Sequence, residues 1–127
     1  MKLYSILNQL ILEAASRNEV ERAIVNHNIV KIYYGGDEIE KEGERDIEPY
    51  VLGVSKAGNM ILRAYQYAGV TNTEQPGWKT FRLDRILDWN ENGLTFNTPI
   101  SDRIRNAPKY NANGDKSMTI VYKQAKF

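Results

Sequence analysis

The chain contains no cysteine among its 127 residues, so it cannot build a disulfide framework, a zinc–thiolate site or a thiol nucleophile. It has a single histidine, His27, set between Asn26 and Asn28. A cation near a helix C-terminus interacts favourably with the helix dipole, which accounts for that residue. Nothing beside it in sequence supplies partners for catalysis or metal binding. Long hydrophobic runs are also missing, since no apolar stretch approaches the roughly 18 residues of a membrane span. The opening MKLYSILNQLILEAASRNE places a cation before apolar residues, but Asn8 and Gln9 interrupt them on a helical period, so it reads as an amphipathic helix and not a leader. Gly35-Gly36 lacks the Lys-Ser/Thr that follows in a phosphate-binding loop, and no serine sits in a nucleophile elbow. The expectation is a cytoplasmic, non-enzymatic protein with no cofactor, no metal and no membrane association.

What is present is charge, unevenly placed. Residues 1–50 carry ten acidic and six basic side chains, a balance of −4, and residues 51–127 carry six acidic and eleven basic ones, a balance of +5. Such a split can orient an anionic partner toward the second half, or merely segregate solubilising charges. Glu38, Glu40, Glu42, Glu44, Asp46 and Glu48 occupy successive even positions. On one strand they would repel along a shared face, so the middle of DEIEKEGERDIE reads as an exposed hairpin loop. It lacks the spacing, central glycine and closing glutamate of a calcium loop.

Leu3, Ile6, Leu7, Leu10, Ile11 and Ala14 recur at helical steps. Ser16 with Glu19, or Asn18 with Glu21, offers a capping box for a second helix whose buried face is Val20, Ala23 and Ile24. From Ile29 the period becomes two. IVKIYY, DIEPYVLGV, MILRAYQY and WKTFRL read as strands, with Pro49 marking an edge or a bulge. ILDW and LTF flank a predicted turn at Asn90-Glu91-Asn92-Gly93, and Ser55–Asn59 is turn chemistry. Residues 97–117 show no clear period, and SMTIVYKQAKF closes the chain with a last alternating strand. The organisation expected is one domain over 1–127: a helical segment 1–27, a small barrel 28–96, and an irregular segment with a final strand 97–127. The fold class is α+β, mainly β.

AIVNHNIVKIYYGG, RDIEPYVLGVSKAGNMILRAYQY and GWKTFRLDRILDW, in that order, resemble the WYL domain over roughly residues 20–90. The resemblance implies a small Sm/SH3-like β-barrel. At the naming triplet stand Met60, Ile61 and Leu62, so only the leucine is kept. It also implies a ligand-sensing or nucleic-acid-binding regulatory module, whose basic and aromatic cluster takes single-stranded nucleic acid or a nucleotide-like signal. The matching positions are Tyr33, Tyr65, Lys79, Arg82 and Arg85. Arg63 joins them here from its place beside Tyr65 on one strand face. An arginine holds a phosphate with two hydrogen bonds and an aromatic ring stacks a base, at about 1–3 kcal/mol per base. The competing reading is internal: Asp84 and Asp88 lie close enough to Arg82 and Arg85 to pair with them.

The family usually attaches the domain to a winged helix-turn-helix. The 28 residues before the first strand are too few for one, so the expectation is a stand-alone module of a phage or mobile element, placed in the host cytoplasm or the virion. A second reading makes it a structural or assembly protein. The apolar N-terminal helix and the final strand then mediate homo-oligomer or other protein contacts.

Overall fold

The computed structural model describes residues 15–70, 77–96, 107–111 and 113–127. The expected helix over Leu3–Ala14 and the 97–106 part of the irregular segment therefore lie outside the described residues. The second expected helix is α1 (Arg17–Val25). Ser16 caps it, its Oγ accepting from the Glu19 N–H at 3.2 Å, so the first of the two capping-box options is the one used. Val20, Ala23 and Ile24 form its buried face. The helix stops at Asn26, and His27 adopts φ 56°, the left-handed conformation that turns the chain into the first strand.

The rest is mainly β. The strands are β1 (Asn28–Tyr34), β2 (Gly43–Ser55), β3 (Met60–Gly69), β4 (Gly77–Arg82), β5 (Ile86–Thr95), β6 (Tyr110–Asn111), β7 (Gly114–Asp115) and β8 (Met118–Gln124). A 3₁₀ turn at Leu83–Arg85 joins β4 to β5. The main sheet is antiparallel in the order β4-β3-β2-β1-β5, with β8 added to β2, while β6 and β7 form a separate two-stranded ribbon. β2 is long enough to hold β3 along one side and β1 followed by β8 along the other.

Two readings of the chain are corrected, and a third is decided between its alternatives. Residues 90–93 do not form a turn between two strands. β5 runs through them, and the pairing steps from Val30↔Glu91 to Asn28↔Thr95, so the extra residues form a bulge with Gly93 at φ 85°. Pro49 marks a bulge and not an edge: it stands on a central strand where the β2–β3 register shifts between Pro49 and Val51. Glu40, expected to be solvent-exposed, is buried.

The core gathers Val30, Ile32 and Tyr34 of β1, Ile47, Val51 and Leu52 of β2, Leu62 and Ala64 of β3, and Phe81 of β4, with α1 packed over β1, β2 and β8. Each large apolar side chain fully buried contributes about 1.5–3 kcal/mol. The sheet curls enough for Tyr34 of β1 to reach β4, where its hydroxyl accepts from the Arg82 backbone N–H at 3.0 Å. A second link follows at the 3₁₀ turn, as the Gly35 N–H donates to the Arg85 carbonyl at 2.7 Å.

Candidate ligand groove

Among the described residues β4 pairs with β3 alone, so the groove follows an edge strand. Along that strand Lys79 and Arg82 alternate to opposite faces. The β3–β4 ladder keeps the alternation: Arg63 opposes Thr80, Tyr65 opposes Trp78 and Ile61 opposes Arg82, while Lys79 opposes Ala64 on the inner face. A groove of about 470 Å³ nevertheless brings Asn59, Arg63, Trp78, Lys79, Thr80 and Arg82 together. Its other wall is the loop of Asp37, Glu38, Ile39 and Glu40.

That loop is tied down by its own chemistry. Asp37 Oδ1 accepts from the Ile39 and Glu40 N–H groups at 2.8 and 2.6 Å, and its Oδ2 accepts from the Tyr34 hydroxyl at 2.6 Å. Burial alone raises the Asp37 pKa, but these hydrogen bonds and the nearby Arg85 outweigh it and hold the carboxyl below its ordinary value. Burial, with the Asp37 hydrogen bond, pushes the Tyr34 hydroxyl far above the usual range, so it stays protonated and keeps donating. Arg85 donates to the Gly36 carbonyl at 3.0 Å, and Tyr33 donates to the Glu42 carboxylate.

Beneath the loop lies a charged cluster that sequence reasoning missed. Arg45 is fully buried, donating to Glu40 at 2.8 Å, to Gln66 at 3.2 Å and to the Lys41 carbonyl, with the Tyr34 and Phe81 rings within 5.5 Å of its guanidinium carbon. Lys79 Nζ lies 4.0 Å from the other Glu40 oxygen. Desolvation lowers the Lys79 pKa, Arg45 lowers it further, and Glu40 opposes both.

The six residues expected to form the site are thus divided. Arg63, Lys79 and Arg82 line the groove. Tyr65 is not among the lining residues and meets the groove only through Trp78, to which it is edge-on at 5.5 Å between ring centroids. Arg85 and Tyr33 instead hold the 36–42 segment. Arg82 carries the internal pairing that the sequence allowed, with two hydrogen bonds to Asp84 at 3.2 and 2.8 Å. Asp84 is well exposed, and such surface pairs are weak and exchangeable. Arg63 is paired with Asp115, 52 residues away, at 2.8 Å. The groove is therefore not purely cationic: Asp37, Glu38 and Glu40 balance Arg63, Lys79 and Arg82, three against three. Among the described residues no three His, Asp or Glu side chains are grouped to hold a metal ion, and no helix is long and apolar enough to cross a membrane.

A curled antiparallel sheet with a polar, aromatic-flanked groove along its edge strand defines a small β-type binding module. Residues 16–91, more than half of the chain, match the family model of the WYL domain, and the chain belongs to that family. No curated protein and no solved structure matches it. At the family triplet Met60 is half-buried against the core, while Ile61 and Leu62 are buried, so the triplet supplies packing here. The aromatic surface beside the groove comes from Trp78 and Tyr65.

Proposed function

We propose that this protein is a regulatory ligand-sensing domain that takes single-stranded nucleic acid, or a nucleotide-like ligand of the same phosphate-and-base chemistry, in the groove along β4. One observation carries the reading: a single groove offers Lys79 and Arg82 for phosphates beside the aromatic pair of Trp78 and Tyr65 for a base. The family membership supports a binding module over an enzyme. The link from Tyr34 to the β4 backbone supports the Sm/SH3-like barrel expected for it.

Replacing the half-buried Arg82 and Tyr65 tests the site. Arg82→Ala should weaken binding of a short single-stranded oligonucleotide and flatten its salt dependence by about 0.7 for each phosphate it no longer neutralises. Tyr65→Ala should weaken binding and leave the salt slope unchanged. A mononucleotide run in parallel separates the two ligand sources, since equal affinity for both probes indicates a free nucleotide signal. Wild-type affinity in both variants rejects the groove as the site.

The assembly reading has its own observation. β8 pairs with β2 along one edge, and among the described residues no strand pairs with its other edge, where Ile120 and Val121 are 52% and 41% exposed. Apolar residues on an open edge favour strand pairing with a second copy. Ile120→Lys together with Val121→Lys should reduce the solution mass measured by light scattering, and an unchanged mass rejects that interface.

A further inference from the structure

Residues 107–127 lie beyond the family match at 16–91, yet two of them occupy the face of β3 and β4 that carries Arg63 and Trp78. The Tyr110 ring lies over the Trp78 indole at 5.2 Å with 17° between planes, as a base lies on an aromatic platform. The Asp115 carboxylate takes Arg63 through two hydrogen bonds of 2.8 and 3.3 Å, as a phosphate takes a guanidinium. Ser117 Oγ accepts a third from the same guanidinium at 3.1 Å. Tyr110 and Asp115 are direct cross-strand partners in the β6–β7 ribbon, so one small unit presents a ring and an anion side by side.

We infer that the β6–β7 ribbon is an internal surrogate for one nucleotide, with Tyr110 on Trp78 in place of a base and Asp115 on Arg63 in place of a phosphate, and that nucleic acid gains this part of the site by displacing it. The inference rests on the proposed function and adds its regulation.

The ribbon is suited to the exchange. Its strands have two residues each and, among the described residues, pair with no other strand, so although Tyr110 and Asp115 are buried the ribbon can leave without breaking the main sheet's ladders. Its ties to the rest include Gln124 Nε2 donating to the Asn111 carbonyl at 2.7 Å and the stack on Trp78. Freeing Arg63 without replacement would strand a desolvated cation, but a phosphate entering as Asp115 leaves keeps the guanidinium paired throughout. Tyr110 also packs on Tyr50 at 5.3 Å, so the carboxylate is the better handle for a test.

Asp115→Asn removes the charge and keeps an acceptor for Arg63 and for the Ser117 N–H, which Asp115 now accepts at 2.8 Å. With a short oligothymidylate as probe, the variant should bind about tenfold more tightly at low salt, with a salt slope steeper by about 0.7. Arg63→Ala removes the phosphate partner that the exchange needs. Added to Asp115→Asn, it should erase the gain. If Asp115→Asn does not fold, hydrogen exchange on the wild-type protein decides. The amides of 114–118 should exchange faster when the probe saturates the site, and equal or slower exchange overturns the inference. A wild-type protein that binds the probe while Asp115→Asn binds no tighter overturns the surrogate alone. Binding by neither overturns the reading of the groove as well.

Discussion

Arg45 is the residue whose environment departs most from its chemistry. A guanidinium removed from water needs a close counter-charge and partners for its N–H groups; Glu40, Gln66 and the Lys41 carbonyl take the two terminal nitrogens, while among the described residues Nε has no hydrogen-bond partner. Arg45→Met should destabilise the domain by about 3–5 kcal/mol, since it leaves the Glu40 carboxylate buried without its main partner. Glu40→Gln with Arg45→Met should cost less than the sum of the two single changes in denaturant unfolding, and simple additivity contradicts the pairing. The signal for Arg45 was present in the sequence. If Glu44, Asp46 and Glu48 point to solvent, then Arg45 and Ile47 point inward by the strand's period of two. The even spacing of acids, which argues for a loop when read alone, in fact marks the outer face of β2 from Glu44 onward.

At the scale of elements, local pattern located the longer strands, while β6 and β7 fall inside residues 97–117, which show no clear period. β1, β3, β4 and β8 fall within a residue or two of their alternating runs, because a half-buried strand writes its period directly into the chain. The misreading at 90–93 has a physical cause: Asn and Gly favour a bulge as much as a turn, and only pairing with β1 on both sides of it decides. The 36–42 loop was only partly readable for a different reason: Asp37 ties it from within, but Tyr34, Arg45 and Arg85, which also hold it, lie outside it. Its dependence on Asp37 gives a pH prediction. A carboxyl whose folded pKa is depressed stabilises above the unfolded value, and that contribution disappears as pH falls through the folded one. The Ile39 and Glu40 amide resonances should therefore shift with a midpoint below 3.8, the ordinary value for this group. A midpoint at or above that value contradicts the hydrogen bonding assigned to Asp37.

At the scale of the whole molecule, the family and the edge-strand cations were legible in GWKTFRLDRILDW, and the groove's neutrality was not. Arg63 finds Asp115 across 52 residues, and Lys79 finds Glu40 through the curl of the sheet. No local pattern reports such partners. They change what the +5 balance of residues 51–127 means, because part of that charge is already answered within the fold. In the proposed function phosphates replace these internal anions, and the counterions that the nucleic acid sheds give the binding its salt dependence. The most direct measurement is a titration of the wild-type protein with a short single-stranded oligonucleotide at several salt concentrations. Two phosphates held by Lys79 and Arg82 predict binding at low salt that weakens as salt rises, with a logarithmic slope of about −1.4 or steeper. No binding at low salt, or an affinity independent of salt, contradicts it.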